Sequence, residues 1–450
     1  MMRSLWSGVA GLKTHQLEMD VIGNNISNVN TTAYKAQATG FQDILYQTVR
    51  EGTGAGENVG STNISQVGLG SKVGSIYTNI SAQGSAITTN NALDLMITGP
   101  SFFIISPDAQ NGTLNFSRDG SFTIDAGGYL VTQSNGYYVQ GTMGEGGIGN
   151  NVNLQNLQVI NRNRDMNGDG VLETDYMNGS ATSEAYLKGN IDQYDPALEE
   201  GRGIALEVFG NDGEKYTVKF KFTDGADDDD STYKVSVDRI LDKDGNTVAS
   251  EGFPELTLKY DEHNGRLESI TPDKGQAEGN FYKYNFEGDA AVVGPLNVDF
   301  TNVTNYAGSF GNHSSTLNAY QGDTKGLNKG FANGILTGIS FTDNGSIYGT
   351  YSNGQTIKKG QIAVAEFSNA MGLEKVGDNL YQASLNSGNP RVIDITTTGG
   401  YMNSGVLEGS NVDLAKEFTD MITTQRGFQA NSRVITTSDE MLQILKGLKR

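Results

Sequence analysis

Cysteine is absent from all 450 residues. That excludes disulfides, zinc–thiolate sites and thiol catalysis. Histidine is almost as scarce: His15, His263 and His313 lie far apart and form no metal-binding spacing. The seven prolines all fall between Pro100 and Pro390, which leaves both ends of the chain free of the strongest helix breaker. Positive charge is in deficit, with 32 Lys and Arg against 52 Asp and Glu, a formal charge of −20. A phosphate-backbone binder needs a basic face, so nucleic acid is not an expected partner. Attraction to an anionic membrane surface is disfavoured for the same reason. No apolar run approaches the ~18 residues of a membrane-spanning helix, so no direct membrane insertion is expected. The opening "MMRSLWSGVAGLKTHQLEMD" has neither a continuous apolar h-region nor an A-x-A site and does not read as a secretory signal peptide.

Glycine, by contrast, is abundant at 59 residues, nearly twice the average usage of ~7%. Thirteen Asn-Gly or Asp-Gly pairs are scattered from Asn111 to Asn353. Such pairs supply the positive φ angles of tight hairpin turns, so the middle of the chain reads as a many-hairpin β protein. Phe122 and Ile124, then Tyr129 and Val131, have strand spacing around an Ala-Gly-Gly turn. "EKYTVKFKF" alternates Tyr216, Val218, Phe220 and Phe222, and "TYKVSVDRI" alternates Tyr233, Val235 and Val237. The acidic run Asp227 to Asp230 lies between them, where a solvated hairpin loop belongs. After "GFANGILTGISFTDNGSIYGTYSNGQ" the chain returns to the first β unit.

The ends differ from the middle. Leu5, Leu12, Met19 and Ile26 recur every seven residues, with Val9, Ile22 and Val29 beside them. Leu414, Met421, Phe428, Ile435 and Leu442 repeat the period more cleanly, with Phe418 nearby. Both are amphipathic stripes of coiled-coil type. Gly8, Gly11 and Gly23 weaken the first, at ~1 kcal/mol each against alanine where exposed. Ser410 is expected to cap the second helix, with Asp413 three residues on as an approximate capping box. Asp413 and Glu417 suit its positive end, and Lys446, Lys449 and Arg450 its negative end. Two such helices can pair with each other. A pair is only one layer thick, however, and its apolar faces need further cover, for which other copies of the chain are the favoured source. Residues 50–75 are rich in Gly, Ser and Asn and read as an extended connector.

"GNNISNVNTTAYK", Gly23 to Lys35, places Asn24, Asn25, Asn28 and Asn30 where the first helix must stop. Asparagine favours caps and turns. Asn24 and Asn28 share a helix face.

"SLWSGVAGL" followed by "MDVIGNNISNVNTTAYK", the segments "GFQDIL", "ALDLMITGPSFFII" and "SRDGSFTIDAGGYL", and the end "SNVDLAKEFTDMITTQRGFQANSRVITTSDEMLQ" together resemble the rod and hook axial proteins of the bacterial flagellum. "QRGFQANS" and "GQIAVAEFSNAMGLEKVGDNLY" look like the hook branch of that family. The likeness covers both ends and much of the first β unit, and is weakest in the inserted region. It implies a homopolymer, in which copies stack into a hollow curved tube that transmits torque while bending. It also implies contacts with rod, hook cap and hook–filament junction proteins, and passage through the flagellar type III export apparatus. The implied fold is mainly β with α-helical termini. Residues 1–75 and 410–450 form a helical and extended assembly domain. Residues 76–142 and 331–409 form an inner β domain, and 143–330 an inserted outer β domain. The assembly residues are then Leu5, Leu12, Met19, Asn24, Asn25, Ile26, Asn28, Leu414, Phe418, Met421, Phe428, Ile435 and Leu442, the asparagines bonding to neighbouring copies. In the free monomer the terminal segments are expected to be disordered or partly helical.

Two other readings remain. A rod protein of the same family differs in lacking the large insertion, and an extracellular adhesive β protein leaves the heptads unexplained. Carboxylates are plentiful, but no pair stands in a glycosidase motif and no nucleophile motif occurs. No cofactor is implied. "RDMNGDGVLETDY" matches part of a calcium loop through Asp165, Asn167 and Asp169. Its twelfth position is Tyr176, with the acid one residue early at Asp175, so an Asx-rich turn is the preferred reading and no metal is assigned.

Overall fold

The computed structural model describes residues 2–54, 60–108, 112–149, 153–165, 172, 174–225, 231–307 and 313–447. The fold is mainly β with a long helix at each end, Met2–Ser27 and Leu414–Gly447. The chain divides into two compact units, one of residues 1–160, 339–349 and 357–450, the other of 161–338 and 350–356. The boundary expected near 143 therefore falls at 161. Gln155–Asn156 pairs with Tyr138–Met143, and Leu157 and Val159 are buried in the first unit's core. Residues 331–338, expected in the inner domain, belong to the second unit.

In the first unit the terminal helices pack side by side and antiparallel, with Gly8 near Ile435, His15 near Gly427 and Asn25 bonded to Glu417. The cap of the C-terminal helix is not Ser410. The Asp413 carboxylate accepts from the N–H groups of Ala415 at 2.9 Å and Lys416 at 3.3 Å, while Ser410 Oγ takes only the N–H of Val412. Asp413 wins because it immediately precedes the first helical residue, where its side chain reaches the unpaired donors of the first turn.

Residues 50–75, expected as an extended connector, take part in two antiparallel ladders. Gln37–Asp43 pairs antiparallel with Ser71–Thr78, and Tyr46–Arg50 with Ser65–Gly68. Every residue of the latter pair is exposed, so this ladder is held by backbone bonds and has almost no core of its own.

The β portion of the first unit centres on Phe102–Ser106, buried at every position. Such a run without alternation is what a strand covered on both faces requires. It pairs with Tyr138–Met143 on one side and Asn115–Ser117 on the other, and the sheet continues through Leu380–Gln382 to Glu374–Gly377, which ends it. The outgoing and returning chains are stitched together, Ala86–Thr88 with Val406–Glu408 and Leu95–Thr98 with Tyr401–Ser404.

The second unit has a six-stranded and a five-stranded sheet around one core. The alternation read from sequence is realised: Tyr216, Val218, Phe220, Phe222, Tyr233, Val235 and Val237 are all buried. Lys215–Asp224 and Thr232–Leu241 pair antiparallel, and the acidic run Asp227 to Asp230 lies outside the described residues. The sheets are not purely antiparallel, because Glu184–Ile191 runs parallel to Leu296–Asn305.

Candidate assembly interface

The seam between the terminal helices mixes glycine and polar residues with a few apolar ones, where heptads of large apolar residues were expected. The C-terminal helix buries Glu417, Thr424 and Ser438, with Asn431 half-buried in the same seven-residue row. The predicted apolar row flanks this line: Met421, Phe428 and Ile435 are half-buried, while Leu414 and Leu442 are 39% and 36% exposed. On the N-terminal helix Leu5, Leu12, Met19 and Ile26 are likewise half-buried, and Gly8, Gly11, Thr14, Val21, Ile22 and Asn25 are buried. Glycine explains the inversion. A Cβ on Gly11 would lie 2.6 Å from Asn431 Nδ2, one on Gly8 3.3 Å from Ile435 Cγ1, and one on Gly427 2.7 Å from His15 Nε2. Each of these glycines receives a larger side chain of the facing helix, Asn431, Ile435 or His15, and leaves no room for a side chain of its own. Ile435 of the predicted row thus lies against Gly8 in the seam.

The asparagine turn is mostly spent inside the chain. Asn25 is 1% exposed, and its amide donates to Gln37 O at 2.8 Å and Glu417 Oε2 at 3.2 Å. Its carbonyl oxygen accepts from Gln37 N–H at 2.9 Å and from the Tyr34 hydroxyl at 3.2 Å. Asn25 thus bonds the helix exit to the C-terminal helix and offers nothing to a neighbour, contrary to its expected role. Asn28 bonds back to Asn24, and Asn24 donates to the Tyr34 hydroxyl.

Beyond this turn lies a buried ionic joint that the sequence did not announce. Lys35 Nζ donates to Glu408 Oε1 and to Ala82 O, both at 2.7 Å. Glu408 Oε1 also accepts from Gly84 N–H at 2.9 Å, and Arg118 Nη1 stands 3.7 Å from Glu408 Oε2. All three side chains are at most 2% exposed. Arg118 also lies over the Phe102 ring at 5.0 Å and donates to Gly99 O. Burial pushes the Lys35 ammonium below its ordinary value against the opposing pull of Glu408, and pushes Arg118 down in the same way. Ala33, held at φ 55° in the left-handed region, donates its N–H to Glu408 O at 2.8 Å, so the joint also fixes a strained residue. Lys375 completes the cluster: its Nζ donates to Lys35 O at 3.0 Å and sits 4.8 Å from the Tyr34 ring centroid. Burial lowers it to about 8. These residues are up to 373 positions apart, and no periodicity or motif links them.

The outward faces of the helices remain uncovered. Trp6, Val9 and Leu17 on one helix, and Phe418, Ile422, Met441, Ile444 and Leu445 on the other, are exposed large apolar residues. Among the described residues, no helix is long and apolar enough to cross a membrane. Of the calcium-loop residues, Asn167 and Asp169 lie outside the described set. Asp175 is buried and accepts from Asn161 N–H at 3.0 Å and the Tyr351 hydroxyl at 3.1 Å, so its carboxylate serves the fold.

Comparison with known proteins bears on the whole chain. Residues 5–35 match the family described as flagella basal body rod protein, 96–171 the flagellar hook protein FlgE/F/G D1 domain, and 403–448 the flagellar basal body rod FlgEFG protein C-terminal region. The chain is 34% identical to the flagellar hook protein FlgE of Treponema pallidum (strain Nichols), over 100% of both chains. It is 36% identical to the flagellar hook protein FlgE of Borreliella burgdorferi, again over 100% of both. A solved structure of the Helicobacter pylori flagellar hook protein FlgE2 aligns with a TM-score of 0.45 at 14% identity, covering 72% of this chain and 100% of that one.

Proposed function

The chain belongs to the flagellar hook protein FlgE family, and from that premise we propose that the outward faces of its terminal helices are the surfaces on which copies polymerise. The protein is a structural subunit of the bacterial flagellar hook and resides there. In this reading the copies stack helically into a hollow, curved tube that passes torque from rod to filament while bending. Rod, hook cap and hook–filament junction proteins meet the tube at its ends, and the flagellar type III apparatus exports the subunit.

One observation carries the assembly reading. Both terminal helices turn large apolar residues outward, Trp6, Phe418, Ile422 and Ile444 each being more than half exposed. Exposed apolar faces of that extent mark interaction surfaces. The flanking rows Leu5, Leu12, Met19 and Ile26, and Leu414, Met421, Phe428, Ile435 and Leu442, extend these faces. Asn24 and Asn28 contribute the polar edge. Electron microscopy of the purified protein tests the idea: short curved tubes are expected from the parent chain. None are expected from the Phe418→Asp, Ile422→Asp variant, whose β units stay folded. Normal tubes from that variant would sink the reading.

A further inference from the structure

The outer face of the second unit's five-stranded sheet carries side chains that the fold does not spend. Four of its strands, Phe281–Tyr284, Leu296–Asn305, Glu184–Ile191 and Asn318–Gln321, lie side by side. Their register sets Phe281 against Asp299, Asp299 against Tyr186, and Tyr186 against Tyr320. The next row on the same face holds Lys283, Asn297 and Glu184. The alternate residues Tyr282, Val298 and Leu187 turn the other way, into the core. Phe281 and Tyr320 are 42% and 46% exposed. The Tyr186 and Tyr320 rings stack at 5.1 Å with planes 19° apart, which holds each against the other.

A cleft of about 950 Å³ opens at the Phe281 end of these rows, with Phe281, Lys283, Asn297 and Glu184 in its wall. A volume of that size suits a bound small molecule. Four of the nineteen lining residues are aromatic, Phe253, Phe281, Tyr282 and Phe286, against 9% in the whole chain. Phe253 and Phe286 meet edge to face at 5.8 Å, which fixes one wall. Charge does not distinguish the cleft: four glutamates and two lysines line it, close to the chain's own ratio of 52 acids to 32 Lys and Arg. Free amides do. Gln276, Asn285 and Asn297 line it and, among the described residues, their side chains bond to nothing in the chain. Elsewhere in this unit asparagine amides tie the backbone together, as Asn333 does at Asp212 O. The hydroxyls of Tyr186 and Tyr320 are equally unspent.

We infer that the cleft and the row beyond it bind an extended, uncharged glycan chain. A pyranose offers a C–H face to an aromatic ring and a rim of hydroxyls to amides and carboxylates, which is the mixture this surface presents. A wholly apolar partner would desolvate the amides and acids without pairing them. A cationic one would meet Lys274 and Lys283 in the same lining. From Phe281 to Tyr320 the row spans three strand spacings, about 14 Å, enough for a short run of linked sugars and too long for a single one. The inference is independent of the assembly reading.

Calorimetric titration of the full chain with cellohexaose and with chitohexaose, both uncharged and β-1,4-linked, tests it. A Kd below about 1 mM is expected for at least one of them. Phe281→Ala and Asn297→Ala should each weaken that binding by about tenfold, with thermal unfolding little changed because neither side chain is in the core. The deacetylated chitosan hexamer carries the same backbone with positive charge, and it should bind no more tightly. No heat from either neutral chain at millimolar concentration, or binding that both variants leave intact, would overturn the site. Tighter, salt-sensitive binding of the cationic hexamer would overturn the uncharged ligand. Loss of polymerisation in Phe281→Ala, with no saccharide bound by the parent chain, would make this face a contact between copies instead.

Discussion

Replacing Glu408 with alanine isolates the part of the molecule that the sequence concealed. The change removes the only carboxylate that, among the described residues, pairs with Lys35 and Arg118, whose side chains are 1% and 2% exposed. Breaking a buried pair by deleting one partner typically costs about 3–5 kcal/mol, because the remaining charge is left without compensation. A second route sets a ceiling. Lys35 can escape by losing its proton, and for a lysine of ordinary pKa 10.5 this costs about 5 kcal/mol at pH 7. Arg118 cannot escape in that way and keeps its carbonyl contacts with Ile97 and Gly99. The expected loss is therefore about 3–5 kcal/mol, concentrated where the helix exit meets the first β strands.

The pH dependence has a definite sign. With Glu408 gone, Lys35 is held well below its unfolded value, so between the two values the unfolded chain binds more protons than the folded one. Stability then rises with pH over that interval. The gap between parent and variant should narrow from pH 7 towards 10, by at most about 1.4 kcal/mol per pH unit. Amide exchange at Ala33 and Ala36, whose N–H groups donate to Glu408 O and Asn411 Oδ1, reads the effect locally. Exchange faster by about 100-fold to several thousand-fold is expected at pH 7. Less than tenfold acceleration, or a gap that does not shrink as pH rises, would refute the account of the joint. Glu408→Gln, which keeps shape and an acceptor for Gly84 N–H, should fall between the two.

Three other outcomes follow from the same contacts. Asn25→Ala removes four hydrogen bonds and strands the Gln37 N–H and a Glu417 oxygen, so a loss of about 2–4 kcal/mol in urea unfolding is expected, and a loss below 1 kcal/mol would contradict the geometry. Gly11→Ala should destabilise the parent chain, because its Cβ meets Asn431, but should stabilise an Asn431→Ala background by about 1 kcal/mol through helix propensity; a double-mutant cycle without coupling would show that the helices do not touch there. Lys375, lowered to about 8 by burial against an ordinary 10.5, binds fewer protons folded than unfolded between those values, so its penalty on stability is greatest near neutral pH and fades as pH rises. Thermal unfolding of Lys375→Met from pH 7 to 10 checks this: its advantage over the parent should shrink with pH, and a constant difference would refute it.

Sequence periodicity sufficed wherever one element's own pattern decides its place. The existence of the terminal helices was legible from their heptads, and the alternating strands around Tyr216–Phe222 and Tyr233–Val237 from their period of two, because those strands bury the face their own residues dictate. Which face of the C-terminal helix meets its partner was not legible. Glycine and asparagine carry little hydrophobic signal, and the close approach at Gly8 and Gly11 depends on Asn431 and Ile435, four hundred residues away in sequence. Gly11 read alone is a weak helix former; beside Asn431 it is a requirement. Lys35 and Glu408 were invisible for a related reason. A lone lysine at the end of an asparagine-rich turn and a lone glutamate in "VLEGS" each look solvated until the outgoing and returning chains are paired. The parallel pairing of Glu184–Ile191 with Leu296–Asn305 joins segments more than a hundred residues apart, beyond the reach of hairpin chemistry.

The distribution of polar and apolar contacts also bears on where the free energy of the terminal region lies. The helix pair sets Asn25 against Glu417, and Gly8, Gly11 and Gly427 against Ile435, Asn431 and His15, contacts that bury limited apolar area. At about 25 cal/mol for each Å² of apolar surface removed from water, the larger reserve sits on the residues left outside: Trp6, Leu17, Phe418, Ile422, Ile444 and Leu445. The joint at Lys35, Glu408 and Arg118 has the opposite character: it is closed to solvent and its ion pairs lie within one chain. A subunit built this way is anchored where its helices meet the β portion, and stands to gain most of its remaining stabilisation from neighbours along the helices. Assembly strength then tracks the outward apolar rows, while substitutions in the polar seam act chiefly on how the two helices fit within a copy.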